Sequence, residues 1–169
     1  KLNKMSEQPK IKLKLTTTNK AFEVLGWLFI LAIWVLTLTN YTNLPDTIPT
    51  HFNGAGQADG FGHKAMILIL PVIATILYVG LTALNKFPHA FNYPTTITND
   101  NALKQYTYAT QLVRYLKLMV VLVFGGIALQ TIRYVNGHTN GLGVWFLPLA
   151  LALIFIPILF FVIKSYQTK

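Results

Sequence analysis

The residues able to do chemistry gather in one stretch. Between two long apolar runs lies Pro49-Thr50-His51-Phe52-Asn53-Gly54-Ala55-Gly56-Gln57-Ala58-Asp59-Gly60-Phe61-Gly62-His63-Lys64. His51, Asp59 and His63 offer imidazole and carboxylate donors, the ligand types that suit zinc and other first-row metals. Their spacing crosses a turn and could gather three donors, but it defines no known metal motif. A second reading is structural: Asn and Asp beside glycine tie turns by side-chain to backbone hydrogen bonds, and Asn53-Gly54 and Asp59-Gly60 both have that form. His51 would then pack at headgroup level. A third reading makes the stretch a surface for a peptide or lipid headgroup. Its candidate residues are Pro49, His51, Asn53, Gly56, Asp59, Gly60, His63 and Lys64. The structural reading is favoured, with His51, Asn53 and Asp59 expected to point into an ordered cap. No metal or cofactor is assigned.

Elsewhere the catalytic repertoire is thin. There is no cysteine, hence no disulfide and no thiolate site. Serine occurs only as Ser6 and Ser165, without a Gly-x-Ser-x-Gly elbow, and no His-Glu-x-x-His is present. The chain is not expected to be an enzyme. Glu23 lies in the first apolar run near its inner boundary and is expected to pair with Lys20 or Lys86. No apolar run carries a carboxylate near its middle, which argues against a proton or ion pump. Arg133 marks the far end of the third run, beside Gln130 and Thr131.

The elements that hold these residues follow from composition. Charged residues make up 11% of the 169 and apolar residues 53%, against about 25% charged in an ordinary soluble protein. A helix of about 20 residues spans a bilayer core, and four runs qualify: Ala21–Asn40, Ala65–Asn85, Leu118–Tyr134 and Val144–Ile163. The expected fold is an all-α membrane protein of four transmembrane helices, packed as a four-helix bundle, with an ordered extracellular loop over residues 41–64. Within that loop Ile48–Asn53 and Phe61–Lys64 are expected to pair as a hairpin around Asn53-Gly54 or Asp59-Gly60. The first run is read as a retained span rather than a cleaved signal, and Met5 as a candidate initiator. Residues 1–20 form a basic tail whose end leads into the first helix. Residues 21–85 form a first helix pair. Residues 86–169 form a cytoplasmic segment and a second pair. A long helix is expected from about Asn101 to Tyr134, capped near Thr98-Asn99-Asp100-Asn101. Its first half, with Lys104, Gln105, Arg114 and Lys117, is expected to project from the membrane or lie on it. Gly125-Gly126 invites close helix packing. Pro71, Pro148 and Pro157 predict bends.

Charge sets the orientation. With the N-terminus inside, the inner side holds Lys1, Lys4, Lys10, Lys12, Lys14, Lys20, Lys86, Lys104, Arg114, Lys117, Lys164 and Lys169, leaving only Lys64 and Arg133 of the 14 basic residues outside. The positive-inside rule then predicts both termini in the cytoplasm. The net charge of +9 sits beside apolar runs rather than on a nucleic-acid face, so membrane lipids, not nucleic acid, are the expected partners of the lysines.

The loop signature Leu44-Pro45-Asp46-Thr47-Ile48-Pro49-Thr50-His51-Phe52-Asn53-x-x-Gly56-x-x-Asp59-Gly60-Phe61-Gly62-x-Lys64 resembles the bacterial domain of unknown function 1648 of SdpI-like membrane proteins. The resemblance covers about residues 21–85, and Asn92-Tyr93-Pro94 before an Asn-Asp-Asn-Ala helix start is similar to stand-alone members. It implies a membrane protein of ill-defined biochemistry; the chain itself is expected to be a multi-pass protein of the bacterial cytoplasmic (inner) membrane with a binding, signalling or immunity-like role. The expected function is thus non-catalytic, exerted through the outer loop on a protein partner. An accessory structural subunit of a larger membrane complex is the alternative, and a metal-dependent membrane enzyme a more distant one.

Overall fold

The computed structural model describes residues 8–168. Met5 and the rest of residues 1–7, with Lys169, lie outside them. The described chain runs α1 (Thr17–Tyr41), β1 (Thr47–Phe52), β2 (Ala58–His63), a 3-10 turn (Lys64–Leu68) continuing into α2 (Ile69–Leu84), a short 3-10 turn (Pro88–Ala90), α3 (Ala102–Val135) and α4 (Phe146–Gln167). Among the described residues, four helical stretches are long and apolar enough to cross a membrane: Thr17–Tyr41, Lys64–Leu84, Ala102–Val135 and Phe146–Gln167.

Local chemistry sets the boundaries. The Thr16 hydroxyl accepts a hydrogen bond from the Asn19 amide at 3.2 Å and starts α1 ahead of the apolar run. Pro71 is the third residue of α2 and Pro148 the third of α4. Both therefore stand in a first turn, where a backbone N–H has no intrahelical partner to lose. Just before Pro71 the chain changes from 3-10 to α geometry. Pro157 alone is interior to its helix, so its ring still crowds the carbonyl of Leu153.

α3 is the centre of the molecule. It has 34 residues, roughly 50 Å at 1.5 Å per residue, and α1, α2 and α4 all pack on it. Its first half packs against the other helices rather than standing alone. Ala102, Gln105, Tyr106, Ala109, Thr110, Arg114 and Lys117 are buried and recur at three- and four-residue steps, one face of a helix. Four of them are polar or charged, which hid the stripe from a reading based on hydrophobicity. Close approach is bought by glycine. A Cβ on Gly26 would lie 2.3 Å from the Tyr78 phenol, one on Gly125 3.0 Å from Ile33 of α1, and one on Gly126 3.1 Å from Phe146 of α4. The central core joins Ile30, Ile33, Ala74, Tyr78 and Val121.

Two ends are distinct. At the cap end Leu44, just ahead of the hairpin, and Ile48 of β1 pack onto Ile67 and Ile132. The hairpin turn meets the α3–α4 connection, where the Leu142 amide donates to the Gly56 carbonyl at 2.7 Å and Gln57 bridges Gly141. At the opposite end the N-terminal segment, residues 85–101 and the end of α4 meet. The Tyr106 hydroxyl donates to the Pro9 carbonyl at 2.9 Å. Ser165 donates to the Gln105 side chain at 2.6 Å, and Gln105 donates back to the Ser165 carbonyl at 2.9 Å. Ser165 is fully buried and serves as a fastener for α4.

Candidate functional site

The hairpin is built from its register. Thr47 faces His63, Ile48 faces Gly62, Pro49 faces Phe61, His51 faces Gly60 and Phe52 faces Ala58, with irregular steps on both sides of His51. Asn53 ties the turn: its carboxamide oxygen accepts from the Ala55 amide at 2.9 Å and the Gln57 amide at 3.1 Å. Gly56 has φ +75, and a Cβ there would lie 2.4 Å from the Gly143 carbonyl oxygen. Only glycine fits both demands.

Asp59 does not tie a turn. It lies within β2, and its carboxylate meets His51 Nδ1 at 2.5 Å across the two strands, the side chains being 43% and 71% exposed. The expected inward aim of His51 and Asp59 is thus corrected: Ile48 turns to the core, while the irregular steps around His51 leave the His51–Asp59 contact at the surface. Ile48 is 1% exposed, and Pro49 is buried beside it. Gly60 gives His51 room, since a Cβ on it would lie 2.8 Å from that of His51. His63 is occupied elsewhere. Its Nδ1 accepts from the Ala65 amide at 3.2 Å and caps the 3-10 turn. Lys64 meets Asp46 at 3.1 Å, and its ammonium holds the Asp46 carboxyl below the usual carboxylate range. His51, Asp59 and His63 are therefore not gathered, and among the described residues no three His, Asp or Glu side chains stand close enough to share a metal ion.

These contacts rank two substitutions. An exposed polar contact, charged or neutral, contributes at most about 1 kcal/mol, so Asp59→Ala is expected to change stability by less than about 1 kcal/mol. Asn53→Ala loses two turn bonds and is expected to cost about 1–2 kcal/mol. Thermal unfolding of the purified proteins in one detergent measures the order.

A second site, which the sequence reading missed, lies toward the opposite end. Glu23 of α1 does not pair with Lys20 or Lys86. Its carboxylate meets Lys117 Nζ at 2.5 Å and Arg114 Nε at 3.3 Å, both from α3. Lys117 is fully buried and also donates to Thr82 Oγ1 of α2 at 2.6 Å, with its ammonium 4.2 Å from the centre of the Tyr78 ring. The Tyr78 hydroxyl donates to the Glu23 carbonyl at 2.9 Å. One carboxylate and two cations thus join α1, α2 and α3. Glu23 and Lys117 are 94 positions apart, so no local motif announces them. The available signal was the polar stripe on α3, with Arg114 and Lys117 three residues apart.

The cluster borders a cavity of about 540 Å³ lined by Glu23, Thr82, Asn85, Lys86, Arg114 and, from the N-terminal segment, Ile11, Lys12, Leu13 and Leu15, with Pro88. Arg114 Nη1 donates to the Thr110 carbonyl at 3.1 Å, but its Nε–H has no hydrogen-bond acceptor although Glu23 is near. Asn85 Nδ2 donates to the same carbonyl at 3.1 Å, while its Oδ1 is buried without a partner. The cavity wall therefore carries unspent polar capacity and an excess of positive charge.

Comparison with known proteins points to the cap. Residues 28–75 match the model of a family described as Domain of unknown function (DUF1648). That stretch begins within α1, takes in the whole hairpin and ends within α2. An uncharacterized protein of Archaeoglobus fulgidus is 31% identical over 116 residues, 64% of this chain. The chain spans 63% of the length of that relative. No solved structure matches. The chain is therefore similar to the domain of unknown function 1648 family through its cap and the two helices that carry it, as its loop motif implied.

Proposed function

We propose that this chain is a non-catalytic multi-pass protein of the bacterial inner membrane that recognises a protein partner through its cap, in a binding, signalling or immunity-like role. One observation carries the reading. His51 and Asp59 are held in contact on a stapled hairpin, yet stand 71% and 43% exposed. A pair so exposed adds little to stability, so its ordered placement is better accounted for by an external contact. Phe61 on β2, 55% exposed, adds apolar area beside it. The family match over residues 28–75 centres on the same element. The double variant His51→Ala/Asp59→Ala is expected to keep its unfolding temperature and lose the partner on purification from native membranes. Retention of the same partner at parental stoichiometry contradicts the proposal.

The cap faces outward in this reading. Of the described basic residues, Lys64 and Arg133 flank the cap end, while Lys10, Lys12, Lys14, Lys20, Lys86, Lys104, Arg114, Lys117 and Lys164 lie toward the other, as the positive-inside rule requires of a cytoplasmic side. A cytoplasm-active reporter is expected to work at residue 95 and an externally active one at residue 55. External activity at residue 95 would reverse the orientation.

A second reading, an accessory structural subunit of a larger membrane complex, is favoured by α4. This helix packs on α3 and leaves Phe155, Ile156, Leu159 and Phe160 more than half exposed. Lipid or a partner helix can cover them. Co-purification at fixed stoichiometry in mild detergent, unaffected by the cap variants, supports the subunit. A metal-dependent enzyme has no gathered ligand set among the described residues to support it.

A further inference from the structure

We propose that the cavity between α1, the end of α2, α3 and the N-terminal segment is a binding site for a phosphate-type oxyanion, carried by an anionic lipid headgroup or free in solution. The charged groups that face it are Glu23 from α1, Lys86 from the end of α2, Arg114 and, behind Glu23, Lys117 from α3, and Lys12 from the N-terminal segment. One carboxylate thus stands among four cations. Lys117 is committed to Glu23 and Thr82 and Arg114 shares the Glu23 carboxylate at 3.3 Å, which leaves Lys12 and Lys86 to a ligand, beside an Arg114 Nε–H that makes no hydrogen bond.

Arg114 supplies the independent sign of an occupant. It is 7% exposed and lines the cavity, and its Nε, 3.3 Å from Glu23 Oε1, makes no hydrogen bond. A buried guanidinium N–H that makes no hydrogen bond fits a phosphate oxygen, which accepts it as a charge-assisted bond. Asn85, also 7% exposed, leaves Oδ1 unpaired on the same wall. An acceptor there asks for a donor, such as the hydroxyl of a hydrogen phosphate or of a glycerol headgroup. The apolar Ile11, Leu13 and Leu15 on the wall suit a ligand that enters from the lipid phase. The volume of about 540 Å³ is ample for a headgroup.

The test uses the full chain, purified and stripped of lipid in detergent. Retention of added phosphatidylglycerol, of phosphatidylcholine and of inorganic phosphate is read by native mass spectrometry and equilibrium binding. Lys12→Gln/Lys86→Gln removes two exposed cations from the cavity wall without touching the buried cluster. Lys10→Gln/Lys14→Gln removes the same charge from the tail outside the cavity. The proposal predicts saturable retention of phosphatidylglycerol or of phosphate over phosphatidylcholine, weakened about tenfold by the cavity pair and little by the tail pair. Retention of phosphatidylglycerol alone assigns the oxyanion to a lipid, and competition by inorganic phosphate assigns it to the free anion. Failure to retain either, or equal losses in the two double variants, overturns the site.

Discussion

Glu23→Ala is expected to be the most damaging single substitution in the molecule, lowering stability by about 3–5 kcal/mol. Lys117 is fully buried and Arg114 nearly so, and Glu23 is the carboxylate that both face. Removing it leaves two like charges out of water, which costs far more than the ion pair itself contributes. The helices lose a shared tie as well, since Glu23, Thr82 and Lys117 connect α1, α2 and α3. Thermal unfolding in detergent, followed by size-exclusion profile, reads the effect. A double-mutant cycle separates charge from packing. Glu23→Gln/Lys117→Met removes one ammonium with the carboxylate and is expected to be less damaging than the sum of the single variants, by roughly 1–3 kcal/mol. Strict additivity would show that the cluster does not act as a unit.

Gly56→Val is expected to unlatch the cap, at a cost of roughly 2–3 kcal/mol. Its φ of +75 is a conformation that β-branched residues avoid, and its Cβ would lie 2.4 Å from the Gly143 carbonyl oxygen. That neighbour is backbone and has no rotamer to move. The bond from the Leu142 amide to the Gly56 carbonyl, 2.7 Å long, would go with it. Hydrogen exchange is expected to rise together over residues 53–57 and 139–143 while α1 and α2 stay protected. Gly54→Val, where a Cβ meets nothing within 4 Å, is the matched control. Equal exchange in the two variants would remove the latch from the account.

What could be read from sequence follows a physical divide. The four spans were legible because each is a run of apolar residues with polar interruptions at its ends. The hairpin around Asn53-Gly54 was legible because its turn chemistry is local. The aim of His51 and Asp59 was not, because a strand inverts every side chain with a one-residue shift of register, and the irregular steps beside His51 break simple alternation. Asp59-Gly60 has the form of a turn but lies inside β2, where the glycine serves clearance from His51. That Pro71 and Pro148 fall in the first turns of their helices was not legible, because it depends on where each helix begins. The ionic cluster was the largest omission. Its members come from separate helices, and the pairing of Arg114 and Lys117 with Glu23 leaves no local signature in the sequence.

The outer cap as a recognition surface is the central claim, and site-specific photo-crosslinking in native membranes tests it most directly. A photoreactive phenylalanine analogue at Phe61 sits on the exposed face of β2, near the His51–Asp59 pair. The account predicts one discrete protein adduct, lost when His51→Ala/Asp59→Ala is added to the same chain and absent when the probe is placed at Leu103, at the opposite end. Adducts to lipid alone, or an adduct that survives the double variant undiminished, would contradict it.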